Sequence, residues 1–287
     1  MEQQDSAPDR ISFGKSAATV TRVGLGGEGV LRTFGRQQEA RAVVEEAVRQ
    51  GIGYFDSARV YSDSERYLGS VWDEEPEARR KIFQTSKSAS RDHDGALADL
   101  QQSLARLQTD HLDLWQIHDL RTDREFEQIA GPGGALEAFV EAREKGLVRH
   151  IGVTGHHDPK VLTRAVREWP VDAVLMPVNP VEEIIGGFLT ETLPAAHQKG
   201  IAIIGMKILG ASHYVLPRFG VTAELLLRYA LSRQVTVCIV GCSSPAEVRL
   251  LARTGRENKP LADHERQHLL EIFEPYARKL AFYRGVF

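Results

Sequence analysis

At 287 residues the chain is longer than a typical single sandwich or bundle and matches one α/β barrel or two small domains. Hydrophobic residues at 42% and charged residues at 26% are ordinary globular values, which excludes wholesale disorder. A net charge of −3 with no basic block argues against nucleic acid and anionic membranes as partners. No apolar run approaches the ~20 residues of a membrane span. The polar start MEQQDSAPDR has no apolar signal core, so a cytoplasmic protein is expected.

In chain order, RISFGKSAATV is too short for a strand–helix unit and reads as a small hairpin closing the bottom of a larger sheet. Eight strand-length apolar runs follow: TRVGLG (21–26), GYFDS (53–57), KIFQTSK (81–87), HLDLWQIH (111–118), HIGVTG (150–155), DAVLMPVN (172–179), IAIIGMK (201–207) and TVCIVG (236–241). Most are nearly continuous rather than alternating, as in strands covered on both faces. Between them lie helical patterns, such as the stripe of Leu97, Leu100, Leu104 and Leu107. Asp158-Pro159 and Ser244-Pro245 are helix starts. Gly51, Gly146 and Gly200 are helix ends. Eight strand–helix units without a linker or repeat predict a single-domain (β/α)8 TIM barrel over residues 1–287, with the N-terminal hairpin and a C-terminal helix and aromatic tail. That tail has equal reason to cover the barrel mouth or to pack outside it. Cys238 and Cys242 form one C-x3-C pair without a second pair or a nearby His, so they are read as buried thiols and not a zinc site.

In such a barrel, chemistry sits at the C-terminal strand ends. Asp56 ends the second run and Tyr61 lies in the loop after it; Lys87 ends the third and His118 the fourth. Four titratable groups from three consecutive strands therefore meet at one mouth. Singly, each has a bland reading as a cap, a rim residue or a solvated lysine.

These residues lie within longer patterns: Gly51-x-x-Tyr54-Phe55-Asp56, then Tyr61, Ser64, Glu65 and Leu68-Gly69; Thr85-x-Lys87; Ser103-Leu104-x-Arg106-Leu107; Asp110-x-x-Asp113-Leu114-x-x-x-His118; and Lys145-Gly146-x-x-Arg149-x-Ile151-Gly152-Val153. In that order, over residues 20–250, the chain resembles the aldo-keto reductases. The resemblance implies an oxidoreductase that uses NADP(H) or NAD(H) to reduce an aldehyde or ketone, or runs the reverse, with Asp56, Tyr61, Lys87 and His118 as catalytic residues. A free phenol of pKa ~10 is a feeble acid at neutral pH, and a nearby Lys87 ammonium is expected to lower it so that Tyr61 gives its proton. Asp56 would keep that lysine charged, and His118 would orient the substrate oxygen.

The resemblance also implies cofactor contacts from Gly27, Glu28, Asp56, Thr154, His156, Asn179, Met206, Lys207, Leu209, Gly241, Ser243 and Glu247. Several departures from the family pattern fall here. The family's Ser-Asn at the fifth strand end becomes Thr154-Gly155-His156, its Gln falls at Leu175, and its stacking Tyr at Met206. The Lys and Arg that often mark NADP preference fall at Cys242 and Glu247, and the adenine-reading Glu-Asn pair at Leu250-Leu251. Arg249 or Arg253 is then expected to supply the missing charge, and the choice between NADP and NAD stays open.

GLGGEG (24–29) fits a dinucleotide fingerprint, but Glu45 and Glu46 fall within a helix, and eight units leave no room for a doubly wound sheet. His156 and His157 suggest a metal-dependent barrel, but only His118 is placed to join them, so no metal is expected. A nucleotide-sensing regulatory or subunit protein on the same barrel is the alternative function. The substrate, a small carbonyl compound, would meet Phe126, Tyr214, Phe219 and Tyr283, with Arg121, Arg124 and Arg218 nearby.

Overall fold

The short apolar runs become the staves of a closed barrel. In this computed structural model, which describes residues 10–285, β1 (Arg10–Ser12) and β2 (Thr19–Thr21) form an antiparallel hairpin. Then come β3 (Val23–Gly29), β4 (Tyr54–Phe55), β5 (Phe83–Ser88), β6 (Leu112–Ile117), β7 (Val148–Thr154), β8 (Ala173–Pro177), β9 (Ala202–Met206) and β10 (Val237–Cys242). These eight pair in parallel in chain order, and β10 closes on β3. The expectations attached to residues 1–9 and 286–287 lie outside the described residues.

Around the barrel run α1 (Gln37–Arg49), α2 (Ser64–Glu74), α3 (Pro76–Arg79), α4 (His93–Arg106), α5 (Asp123–Ala130), α6 (Ala135–Glu144), α7 (Pro159–Glu168), α8 (Pro180–Ile185), α9 (Leu193–Lys199), α10 (Ala223–Leu231) and α11 (Pro245–Glu257). The chain ends in α12 (Asp263–Phe273) and the single turn α13 (Ala277–Leu280). Asp158 and Ser244 cap α7 and α11, each with proline next. Gly200 ends α9 at φ 72°, a left-handed position that glycine adopts without steric cost. No helix among the described residues is long and apolar enough to cross a membrane.

The hairpin plugs the barrel floor. Phe13, 1% exposed, packs with its ring 4.6 Å from that of Phe83, the first residue of β5. Tyr54, Leu114, Ala173, Ala202 and Val237 fill the barrel above it. Closing the floor with apolar side chains leaves the opposite, C-terminal end as the open one.

Candidate active site

β5 is the unusual stave. Gln84, Thr85, Ser86, Lys87 and Ser88 are polar yet buried, so each needs a partner. Alternation along the strand sorts those partners. Gln84, Ser86 and Ser88 reach the helices: Trp72 Nε1 donates to Gln84 (3.0 Å), Ser86 donates to Glu65 (2.6 Å) and Ser88 to Asp99 (2.6 Å). Thr85 and Lys87 reach Asp56. Thr85 Oγ1 donates to Asp56 Oδ1 at 2.8 Å, and Lys87 Nζ donates to Oδ2 at 2.6 Å and to the Ser57 carbonyl at 2.7 Å. Thr85 thereby orients the carboxylate, a role that the sequence pattern alone did not assign.

Ser64 and Glu65 anchor the loop that carries Tyr61. The Ser57 hydroxyl donates to that of Ser64 (2.9 Å), which ties the two ends of the loop, while Glu65 ties the start of α2 to β5. Gly27 lets β3 pass close beneath: a Cβ there would lie 2.9 Å from the Asp56 carbonyl oxygen and 2.9 Å from the Tyr61 ring. Held in this way, the Tyr61 hydroxyl lies 3.5 Å from His118 Nε2. The Lys87 ammonium sits 5.0 Å and the Arg32 guanidinium 4.6 Å from the centroid of the Tyr61 ring. Arg32 is itself paired with Glu28 at 2.7 Å.

Burial dominates the electrostatics. It pushes the Tyr61 phenol well above its ordinary pKa, and the charges of Asp56 and Glu28 add to the shift. The lowering expected from Lys87 is therefore overturned. That ammonium spends its hydrogen bonds on Asp56 and Ser57 and faces the ring. Burial also lowers the Lys87 pKa, opposed by Asp56. Burial and then the Lys87 charge push His118 well below the usual histidine range, so it is neutral at pH 7. Its Nδ1 is buried without a partner.

Two cavities meet at Tyr61, Met206 and Lys207. The larger, about 720 Å³, runs from Asp56 and Tyr61 past Gly27, Glu28, Met206, Lys207 and Leu209 to Gly241, Ser243 and Glu247. Leu250 and Leu251 line its far end. The smaller, about 390 Å³, is enclosed by Tyr61, Lys87, His118, Asp119, Thr154 and His156, with Arg121 at its edge. Thr154 accepts from the Asp119 N–H (2.8 Å), and His156 Nε2 lies 3.3 Å from Asp119 Oδ1. Asp119, at φ 54°, was not foreseen. Among the described residues no cluster of three or more His, Cys, Asp or Glu side chains could hold a metal ion.

Other predicted residues lie away from the long cleft. Asn179 lines neither cavity. It caps α8 and spends both amide hydrogens, on the Lys207 carbonyl (3.1 Å) and on the Tyr283 hydroxyl (3.0 Å). Thr154 and His156 face the smaller cavity and not the long cleft. Arg249 and Arg253 turn toward Glu46 and Glu224. Phe126 is core, stacked on Trp169, and Tyr214 is buried with its hydroxyl on the Leu280 carbonyl. Phe219, Arg124 and Arg218 face solvent. Tyr283 is a strap: it donates to Glu182 at 2.7 Å, and its carbonyl faces His156 Nδ1 at 3.0 Å. The tail thus lies across the rim beside the smaller cavity.

The profile of the Aldo/keto reductase family matches residues 22–215. The chain belongs to that family. Aldo/keto reductases use NAD(P)H. The chain is 26% identical over 176 residues to an uncharacterized oxidoreductase of Bacillus subtilis, covering 57% of this chain and 54% of that protein. It is 26% identical over 297 residues to a pyridoxal 4-dehydrogenase of Microbacterium luteolum, covering 87% and 80%. The match thus spans about half the length of the first relative and most of the second. An aldo/keto reductase from Klebsiella pneumoniae, solved with NADP and acetate, superposes with a TM-score of 0.73 at 20% identity. That superposition covers 93% of this chain and 96% of the other, and at this identity it speaks to the barrel alone.

The long cleft suits a dinucleotide. It falls within the ~300–1,000 Å³ range of small-molecule sites, and it offers an ammonium (Lys207), hydroxyls (Ser212, Ser243) and apolar walls (Leu209, Leu250, Leu251) for flat rings.

Proposed function

We propose that the chain is an NAD(P)H-dependent carbonyl reductase in which Tyr61 is the proton donor. The observation that carries this reading is the placing of the Tyr61 hydroxyl 3.5 Å from His118 Nε2 where the two cavities meet, beside the buried Lys87–Asp56 pair. Bound NAD(P)H in the long cleft supplies the hydride. The chain supplies the rest. A carbonyl oxygen entering the smaller cavity accepts from Tyr61, which burial holds protonated. Neutral His118 directs that oxygen with Nε2 when the ring carries its proton there. As negative charge grows on the oxygen the phenol yields its proton, and the Lys87 charge steadies the phenolate that remains. Asp56, fixed by Thr85, keeps Lys87 in place. The reverse oxidation uses the same groups, with Tyr61 as base.

Fluorescence titration with NADH and NADPH, followed by turnover on a panel of aldehydes and ketones, tests the reading. Binding with cofactor oxidation on at least one carbonyl supports it. Binding without turnover on any of them favours a nucleotide-sensing protein.

A further inference from the structure

We infer that the cleft selects NAD(H) over NADP(H), and that Glu247 is the residue that discriminates; this rests on the oxidoreductase reading above. The hydride must be delivered beside Tyr61, so the reactive end of the dinucleotide lies at the Asp56–Tyr61 end of the cleft. The adenosine end is then at the other extremity, between the start of α11 and the wall formed by Ala223, Glu224 and Leu227 of α10. The two nucleotides differ only there, by a 2′-phosphate that carries nearly two negative charges.

Such a phosphate is usually met by arginine or lysine, or by free backbone N–H groups at a helix start. Here the turn into α11 is already satisfied by a carboxylate: the Ser243 N–H donates to Glu247 Oε2 at 2.7 Å. The Glu247 N–H in turn donates to the Ser244 cap. A second carboxylate, Glu224, lines the opposite wall. The nearby arginines are already paired with carboxylates, Arg253 with Glu224 itself. Arg249 lies 3.5 Å from Glu46, and Arg253 lies 3.5 Å from Glu224 and 3.9 Å from Glu257. Among the described lining residues the cations are Lys207 and Arg32. Arg32 is at the Tyr61 end, paired with Glu28, and Lys207 lies where the two cavities meet. Glu224 is thus offset by Arg253, and the acidity of the adenosine end rests on Glu247. A carboxylate there accepts a hydrogen bond from a ribose 2′-hydroxyl and repels a 2′-phosphate.

The test is equilibrium binding, which needs no turnover. Dissociation constants for NADH and NADPH, read from fluorescence on the intact protein, should differ at least about tenfold in favour of NADH. In Glu247→Gln, and more so in Glu247→Arg, NADPH should tighten about tenfold or more while NADH weakens, because the carboxylate that accepts from its 2′-hydroxyl is lost. Thermal unfolding of each variant confirms that α11 remains folded. NADPH binding as tightly as NADH in the parent chain, or an unchanged ratio in folded Glu247→Arg, overturns this inference alone. Failure of both nucleotides to bind removes the oxidoreductase reading, and this inference with it.

Discussion

Lys87 and Asp56 form an ion pair at 2.6 Å whose side chains keep only 1% and 2% of their surface exposed. A pair this deep is worth little relative to an apolar substitute but is costly to break, because the survivor is left as an unpaired buried charge. Asp56→Asn and Lys87→Met should each cost about 3–5 kcal/mol in urea unfolding. The double variant Asp56→Asn/Lys87→Met should lose clearly less than the sum of the single variants. Additive losses would mean that the two charges do not depend on each other.

Stability should fall on the acid side of neutrality, in part through His118. Its folded pKa lies well below the ordinary value of 6.5. Above pH 6.5 the ring is neutral in both states and contributes no pH dependence. Below that pH the unfolded chain binds a proton that the folded chain refuses, so stability declines by up to about 1.4 kcal/mol per pH unit for this residue. His150 and His156 are shifted the same way by burial and steepen the decline. Urea midpoints between about pH 7.5 and 5.5 should show a shallower slope in His118→Asn than in the parent chain.

The C-terminal strap should be worth measurable stability. Tyr283 and Arg284 both bond to Glu182, which is fully buried. Tyr283→Phe removes a hydrogen-bond donor to that carboxylate, and should cost about 1–3 kcal/mol in chemical denaturation. If the loss is negligible, the tail does not hold the rim.

Gly69 marks where α2 meets the end of α4. A Cβ there would collide with the Arg106 carbonyl oxygen, which is backbone and cannot swing away. Gly69→Ala should destabilise by about 1–3 kcal/mol through overpacking, despite the better helix propensity of alanine. A stabilised variant in thermal unfolding would show that the helices can part freely.

The barrel was legible because parallel strands covered on both faces leave nearly unbroken apolar runs, as in DAVLMPVN. The mouth was legible because Asp56, Lys87 and His118 follow at strand ends. What the sequence hid was direction. β5 reads as half polar, and only its alternating partners on α2, α4 and Asp56 explain it. Asn179 sits at a strand end like the others, yet its side chain turns to cap α8. The segment after His118 holds α5, which lies outside the eight apolar runs. Thr122 as N-cap, with Phe126 and Ile129 spaced one turn apart, was an available signal. The state of Tyr61 depends on depth and on the charges of Asp56 and Glu28, neither of which spacing records.

Tyr61→Phe isolates the proton donor. It removes the hydroxyl that faces His118 and keeps the ring beneath Arg32 and Lys87. With NADH and an aldehyde that the parent chain reduces, kcat should fall about 10²–10⁴-fold. The NADH dissociation constant should stay within about twofold, because the hydroxyl acts on the substrate oxygen. Turnover in Tyr61→Phe close to that of the parent chain would contradict the account, since the proton would then come from another group.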